Sequence, residues 1–318
     1  MATQININYK EYPEFMFAMI SAFLPSHEGH YLRQVSGNSV VRSKNTNGST
    51  YKNGLLHSFE DLPAICEKEI RLSPTLHEVL LYSQWYKDGL LHRDGDKPAI
   101  VDFYKEQWYK NGFLHRDGDE PAVIEGDFKQ WYKNGMLHRE GDLPAVYDDN
   151  GNFSEWWING KRQRDGDRPA LIDGPLQKWY KNGVLHREGD LPAVIREDSS
   201  EWWINGKLHR DCDRPALIDG EHQEWFKNGQ LHRDNDLPAI VDGEREEWWI
   251  NGKRHREGDN PAVIDSDRQE WYINDKLYRE GDLPVLIDGI HQVWNRNGVV
   301  LAGFRDENGE WNYHSREN

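Results

Sequence analysis

Several things this sequence has little of narrow its reading. Two cysteines, Cys66 and Cys212, are spread over 318 residues, too few and too far apart for a disulfide framework, so a reducing compartment such as the cytoplasm is expected. Basic charge is short: 39 Lys and Arg face 55 Asp and Glu, leaving a net charge of −16. An acidic protein gains nothing by counterion release, which argues against nucleic acid or an anionic lipid surface as the main partner. Long apolar runs are missing too. The nearest candidate, residues 15–24, begins Phe15-Met16-Phe17 and follows Glu11 and Glu14 instead of basic residues. It is too short to span a bilayer and lacks the flank of a signal peptide, so no transmembrane insertion is expected, and the run reads as a cap on the first repeat. No CxxC, HExxH or phosphate loop is present, nor a Ser-His-Asp order.

What is present is repetition. Trp85, Trp108, Trp131, Trp156, Trp179, Trp202, Trp225, Trp248, Trp271 and Trp294 follow one another every 23 residues, except for 25 between Trp131 and Trp156. Each opens the same phrase, as in WYKNGFLHRDGDEPAVI from Trp108. Such self-similarity marks a stacked repeat architecture. A residue present in every copy is no unique catalytic group, so function must come from the whole array or from copies that depart from the rest. With 14 Trp, 14 Tyr and 10 Phe supplying the bulk, thin aromatic cores between neighbouring units are expected.

Let the Trp be position 0. Asn-Gly at positions 3 and 4 predicts a two-residue type I′ hairpin in which position 2 faces 5, 1 faces 6 and 0 faces 7. The lysines test this pairing. Lys87, Lys110, Lys133 and Lys181 at position 2 oppose Leu90, Phe113, Met136 and Val184, whereas Ile158, Ile204, Ile250 and Ile273 oppose Lys161, Lys207, Lys253 and Lys276. An aliphatic stem is kept over an apolar residue by crossing to the other strand; only Lys227 with Gln230 departs. The exchange alternates from Trp156 to Trp248, giving a super-period of 46 residues. On the other face an aromatic meets Leu, as Tyr109 with Leu114. Where Leu becomes Arg162 or Arg254, the partner is Trp157 or Trp249, whose ring can accept a guanidinium. After this hairpin come Arg, an acid, Gly, Asp, a variable residue, Pro and Ala. These predict a turn and then a third short strand, as at Ala122-Val123-Ile124. Cys212 and Asn235 replace that Gly, which leaves open whether the position needs a positive φ.

Three patterns resemble chemistry. His92, His115, His138, His186, His209, His232 and His255 form a row at position 7, interrupted by Gln163 and Tyr278; packing is the expectation, with a metal or pH-sensitive ladder as its rival. The acid pairs Asp94/Asp96, Asp117/Asp119, Asp165/Asp167 and Asp211/Asp213 invite a calcium reading, but no copy has the EF-hand ligand series and an Arg precedes each pair. His-Arg-Asp at His92, His115 and His232 repeats without the rest of a kinase signature. No catalytic, cofactor-binding or metal residue is therefore assigned.

The run Trp249-Ile250-Asn251-Gly252-Lys253-Arg254-His255-Arg256-Glu257-Gly258 resembles the MORN (membrane occupation and recognition nexus) repeat. Its aromatic, turn Gly, His and later Gly are spaced alike, though Arg follows the His where the family has Gly, and the Asp-x-Pro-Ala segment lies outside the family pattern. The resemblance covers most of 85–300, with a decayed copy at Thr50 to Ile65. It implies a single-layer ribbon of consecutive hairpins acting as a scaffold. The variant also resembles repeat proteins of giant DNA viruses of amoebae, which implies a virion or infected-cell structural protein. The expectation is thus an all-β, elongated array of about ten or eleven hairpin repeats. Residues 1–49 form an N-terminal cap, 50–84 a decayed first repeat plus insertion, 85–301 the regular repeats and 302–318 a C-terminal tail. Its expected role is non-enzymatic scaffolding or protein–protein interaction, with a protein partner, a second copy or a virion assembly. The rival is a calcium-stabilised or carbohydrate-binding module.

Overall fold

The structure, a computed structural model, describes residues 42–44, 49–72, 77–296, 299–305 and 311–315. The run at 15–24 and most of the expected N-terminal cap lie outside the described residues. The chain divides into two units, residues 1–136 and 137–318, and each is described by itself. Among the described residues there is no helix.

Each regular repeat folds as two hairpins. The first is the expected one. Tyr109–Lys110 and Phe113–Leu114 flank Asn111 and Gly112, whose φ values of 52° and 82° make the turn type I′. Their register is Tyr109↔Leu114 and Lys110↔Phe113. In the second unit Lys181 faces Val184 and Ile204 faces Lys207, so the crossed lysines are cross-strand neighbours. At the hairpin mouth the N–H of position 7 donates to the carbonyl of position 0, as His115 does to Trp108 at 3.0 Å.

The second hairpin departs from expectation. The strand after Pro-Ala is there, at Val123–Glu125, but it turns directly into a fourth strand, Phe128–Gln130, that leads into the next Trp. Gly126, at φ 56°, holds the first turn position alone in the left-handed region, the type II′ arrangement. Gly174, Gly220, Gly243 and Gly289 do the same in the second unit, and Ser266 does so at φ 48°. Within each unit these hairpins, and not the Asn-Gly ones, join into an antiparallel sheet. In the first unit its order is Ile65–Leu72, His77–Gln84, Ile100–Val101, Lys105–Gln107, Val123–Glu125 and Phe128–Gln130. In the second it starts with Val146–Asp148 and Phe153–Glu155 and reaches Val299–Arg305 and Trp311–Ser315, each strand pairing with the next. Both irregularities of the sequence fall in this sheet. The insertion at 67–84 is the same hairpin grown to strands of 8 residues each, Ile65–Leu72 and His77–Gln84. The interval of 25 residues is a longer turn, in which the Phe153 N–H donates to Asp148 Oδ1 at 2.8 Å.

The core lies where the two hairpins meet. The Trp108 N–H donates to the Ala122 carbonyl and the Ala122 N–H to that of Gln130, both at 2.8 Å, and the bonds recur in the other copies. The Ala sits between two strands with no exposed surface, and the indoles are buried beside it. The side chain after Ala, such as Val123 or Val194, completes this thin core.

Position 10 is left-handed throughout, from φ 81° at Gly95 to 71° at Gly258, and Cys212 and Asn235 are held there at 63° and 64°. Asn tolerates this conformation, but a Cβ-bearing Cys is strained by about 1 kcal/mol. Cys212→Gly is expected to raise the melting temperature and Cys212→Val to lower it; a Gly variant that melts no higher than the Val variant would show that the backbone does not govern this position.

Candidate interaction surface

Neighbouring repeats are held by one arginine. The position 8 guanidinium lies on the indole of its own repeat, 3.7 Å from the Trp85 centroid for Arg93 and 3.8 Å from Trp202 for Arg210. Its Nε and one Nη fork onto the position 11 Asp of the preceding repeat: Arg187 donates to Asp167 at 2.7 and 2.9 Å and Arg233 to Asp213 at 2.8 and 3.1 Å. The other Nη donates to its own Pro carbonyl, at 3.2 Å in Arg116 to Pro121. Stacking and a bidentate fork together are what arginine offers and lysine does not. Hydrogen bonds from these guanidiniums hold the carboxyls of Asp96, Asp142, Asp167, Asp190 and Asp259 below the usual carboxylate range. This clamp takes up Asp96, Asp167 and Asp213, one acid in three of the four suspected calcium pairs.

The second acid is taken up by Lys and His at Asp94 and Asp117, and by His209 alone at Asp211. Lys110 and His115 hydrogen-bond Asp117 and bring its carboxyl down to about 2. The row of histidines is a second link between repeats. His115 Nδ1 accepts from the Asn134 N–H at 3.1 Å, and His209 Nδ1 accepts from the Asn228 N–H at 3.1 Å. That leaves Nε2 as the protonated nitrogen facing the acid two residues on. Gln163, which breaks the row, accepts from the Asn182 N–H through Oε1 at the same 3.1 Å. The row is thus a series of acceptors for turn amides. Among the described residues no three His, Cys, Asp or Glu side chains converge on a metal-sized site.

Arg162 and Arg254 lie over Trp157 and Trp249 at 4.7 and 5.0 Å, as their spacing predicts. Each also reaches the carboxylate just before the Trp of its own repeat: Arg162 to Glu155 and Arg254 to Glu247. Burial alone would push the Glu247 carboxyl up, but hydrogen bonds from Arg245 and Arg254 outweigh it and hold it low.

What the sequence reading missed is which positions stay outside. Positions 2 and 5 face away from the core, although the Trp two residues earlier is buried, because the strand is interrupted at the Trp. In the first unit position 5 is Leu55, Leu90, Phe113 and Met136, all exposed, Phe113 by 60%. Each of the first three covers the next turn: a Cβ added to Gly89 or Gly112 would lie 3.4 Å from Leu55 or Leu90, and one on Gly135 3.1 Å from Phe113. The result is an unbroken apolar stripe over four successive hairpins. In the second unit the same position is Lys161, Val184, Lys207, Gln230, Lys253 and Lys276. The signal was available, since an apolar residue opposite a lysine on a two-sided hairpin belongs to the wet face. Phe103 and Tyr104, exposed at a turn of the second hairpin, pack edge to face at 4.6 Å.

Compared with known proteins, the chain matches no family model, no curated protein and no solved structure.

Two expectations follow. The clamp acids titrate low in the folded state, so their stabilisation is present above about pH 4 and is lost as the pH falls through their lowered values. Thermal melts between pH 6 and 2 should fall steeply in the acid range, and a melting temperature independent of pH there would contradict the clamp. Since Gln163 does the work of the histidine, His209→Gln should cost under about 0.5 kcal/mol and His209→Leu about 1–2 kcal/mol through an orphaned amide, as read by denaturant unfolding.

Proposed function

We propose that this protein is a non-enzymatic scaffold that binds a protein partner along the row of Asn-Gly hairpins. One observation carries the reading: invariant side chains hold repeat to repeat, while the exposed position 5 differs from copy to copy and forms the apolar stripe of Leu55, Leu90, Phe113 and Met136. Contiguous exposed apolar surface on an otherwise charged protein is a feature of interaction sites. Covering the exposed half of each side chain is worth about 1 kcal/mol, roughly 4 kcal/mol for the stripe. That is no more than the cost of bringing two free molecules together. Function on this reading depends on a long or multivalent partner whose weak contacts add. Likeness to MORN repeats and to repeat proteins of giant DNA viruses of amoebae supports a scaffold, and extends the proposal to a virion or infected-cell assembly.

The test is comparative. Full-length protein and a Leu90→Glu/Phe113→Glu variant are used as bait under native conditions. Proteins retained by the first and lost from the second, with unchanged melting, are the expected result. An identical set of retained proteins would remove the stripe from the reading.

A further inference from the structure

We infer that the stripe is an internal docking site for the protein's own N-terminal segment, residues 15–24, which competes there with the partner proposed above. The competition rests on the stripe being the partner-binding surface, and three observations lead to the docking itself.

The first is where the chain enters. Arg42–Lys44 pairs with Thr50–Lys52, and the registers Arg42↔Lys52 and Lys52↔Leu55 place residue 42 level with Leu55, the first member of the stripe. The preceding 41 residues therefore enter at the stripe's own level and at its first hairpin.

The second is length. Successive hairpins are bonded directly, Gly112 N–H to Leu91 carbonyl and Gly135 N–H to Leu114 carbonyl, both at 2.8 Å. With two strands per hairpin the stripe advances about 10 Å per copy, or about 30 Å from Leu55 to Met136. An extended segment of residues 15–24 covers about 33 Å. The 17 residues between Leu24 and Arg42 reach up to about 60 Å, more than enough to lay it along the row.

The third is chemistry and affinity. The segment Phe15-Met16-Phe17-Ala18-Met19-Ile20 is the most apolar stretch before the repeats, and the stripe offers Leu, Leu, Phe and Met. A surface too weak to hold a free ligand is well matched to a tethered one, because the tether supplies an effective concentration in the millimolar range. A free partner must then displace the segment, which makes binding conditional.

The experiment places a photo-cross-linking residue at Met19 of the full-length chain, in a mixture of isotopically light and heavy protein, and maps the products by mass spectrometry. Cross-links within one chain, to residues at or beside Leu55, Leu90, Phe113 or Met136, are expected. Leu90→Glu/Phe113→Glu should lower their yield roughly tenfold or more. Light-to-heavy products would assign the stripe to a second copy, and products elsewhere in the chain, or none, would also overturn the inference. As a second measurement, Phe17→Asp in the full-length chain should increase capture of any stripe-dependent partner several-fold. The cross-link is read without a partner. Its presence with no protein lost from the stripe variant would mean that the partner reading fails while docking stands, and its absence with stripe-dependent capture intact would mean the reverse.

Discussion

The structure depends on the position 8 arginine. In Arg210 one guanidinium covers Trp202, forks onto Asp190 of the preceding repeat and caps the carbonyl of Pro215. It therefore fixes three things at once: the indole in the core, the turn before it and the turn after it. No single contact is strong. The arginine is mostly buried and the aspartates are partly exposed, so each ion pair is screened and contributes little by itself. The strength lies in recurrence, since within each unit the same atoms clamp repeat to repeat and stability grows by nearest-neighbour terms. A 23-residue unit has too little apolar surface to fold alone, so the clamp and the shared sheet stand in for a large core.

The 46-residue alternation has a physical basis in the second unit. Before Leu143, Leu191 and Leu237 at position 12 the Asp takes φ between 54° and 58°, as Asp213 before Arg214 also does at 51°. The Asp carbonyl before each Leu accepts the Nε1–H of the next Trp, as Asp142 does from Trp156 and Asp190 from Trp202. Where position 12 is Arg168, Arg214 or Asn260, the following Trp179, Trp225 and Trp271 make no such bond. Arg168 and Arg214 instead reach back to Asp142 and Asp190, adding a second cation to the clamp acid. Bonded and unbonded indoles thus alternate, and from Trp156 to Trp248 the crossed lysines alternate in step with them.

Much of this was legible because the repeat lets each inference be checked against other copies. The Asn-Gly turn, its register and the placement of Arg162 and Arg254 on indoles all follow from local rules. The second hairpin was not read, although Asp173-Gly174, Asp219-Gly220 and Asp242-Gly243 carry a turn signal of the same kind. Three-residue strands such as Leu217–Asp219 and His222–Glu224 are too short for alternation to show, and the charged residues His222, Arg245 and Arg268 in them resemble a loop. Neither was the reach of the arginine visible. Sequence places Arg210 beside Asp211, whereas its carboxylate partner is Asp190, 20 residues earlier, a distance set by stacking and not by local geometry. Cys212 could be judged only with the backbone in view.

The division between inner and outer positions separates the side chains that hold the fold from those that are free to vary. Trp, Arg, Asp, Pro and Ala are tied to each other and to main-chain atoms, so replacing one disturbs a joint. Position 5 faces position 2 across its hairpin and covers the glycine of the next turn, which needs a stem and nothing more: Leu90, Phe113, Val184, Lys207 and Gln230 all satisfy it. That position is therefore free to vary in chemistry without altering the fold. A backbone that repeats while its outermost side chains do not is a surface whose character is set locally, apolar over 55–136 and largely basic or polar from 161 onward. On the partner-binding reading proposed above, specificity comes from the order of side chains along the row, and a ligand must be long enough to read several of them before its gains exceed the cost of association.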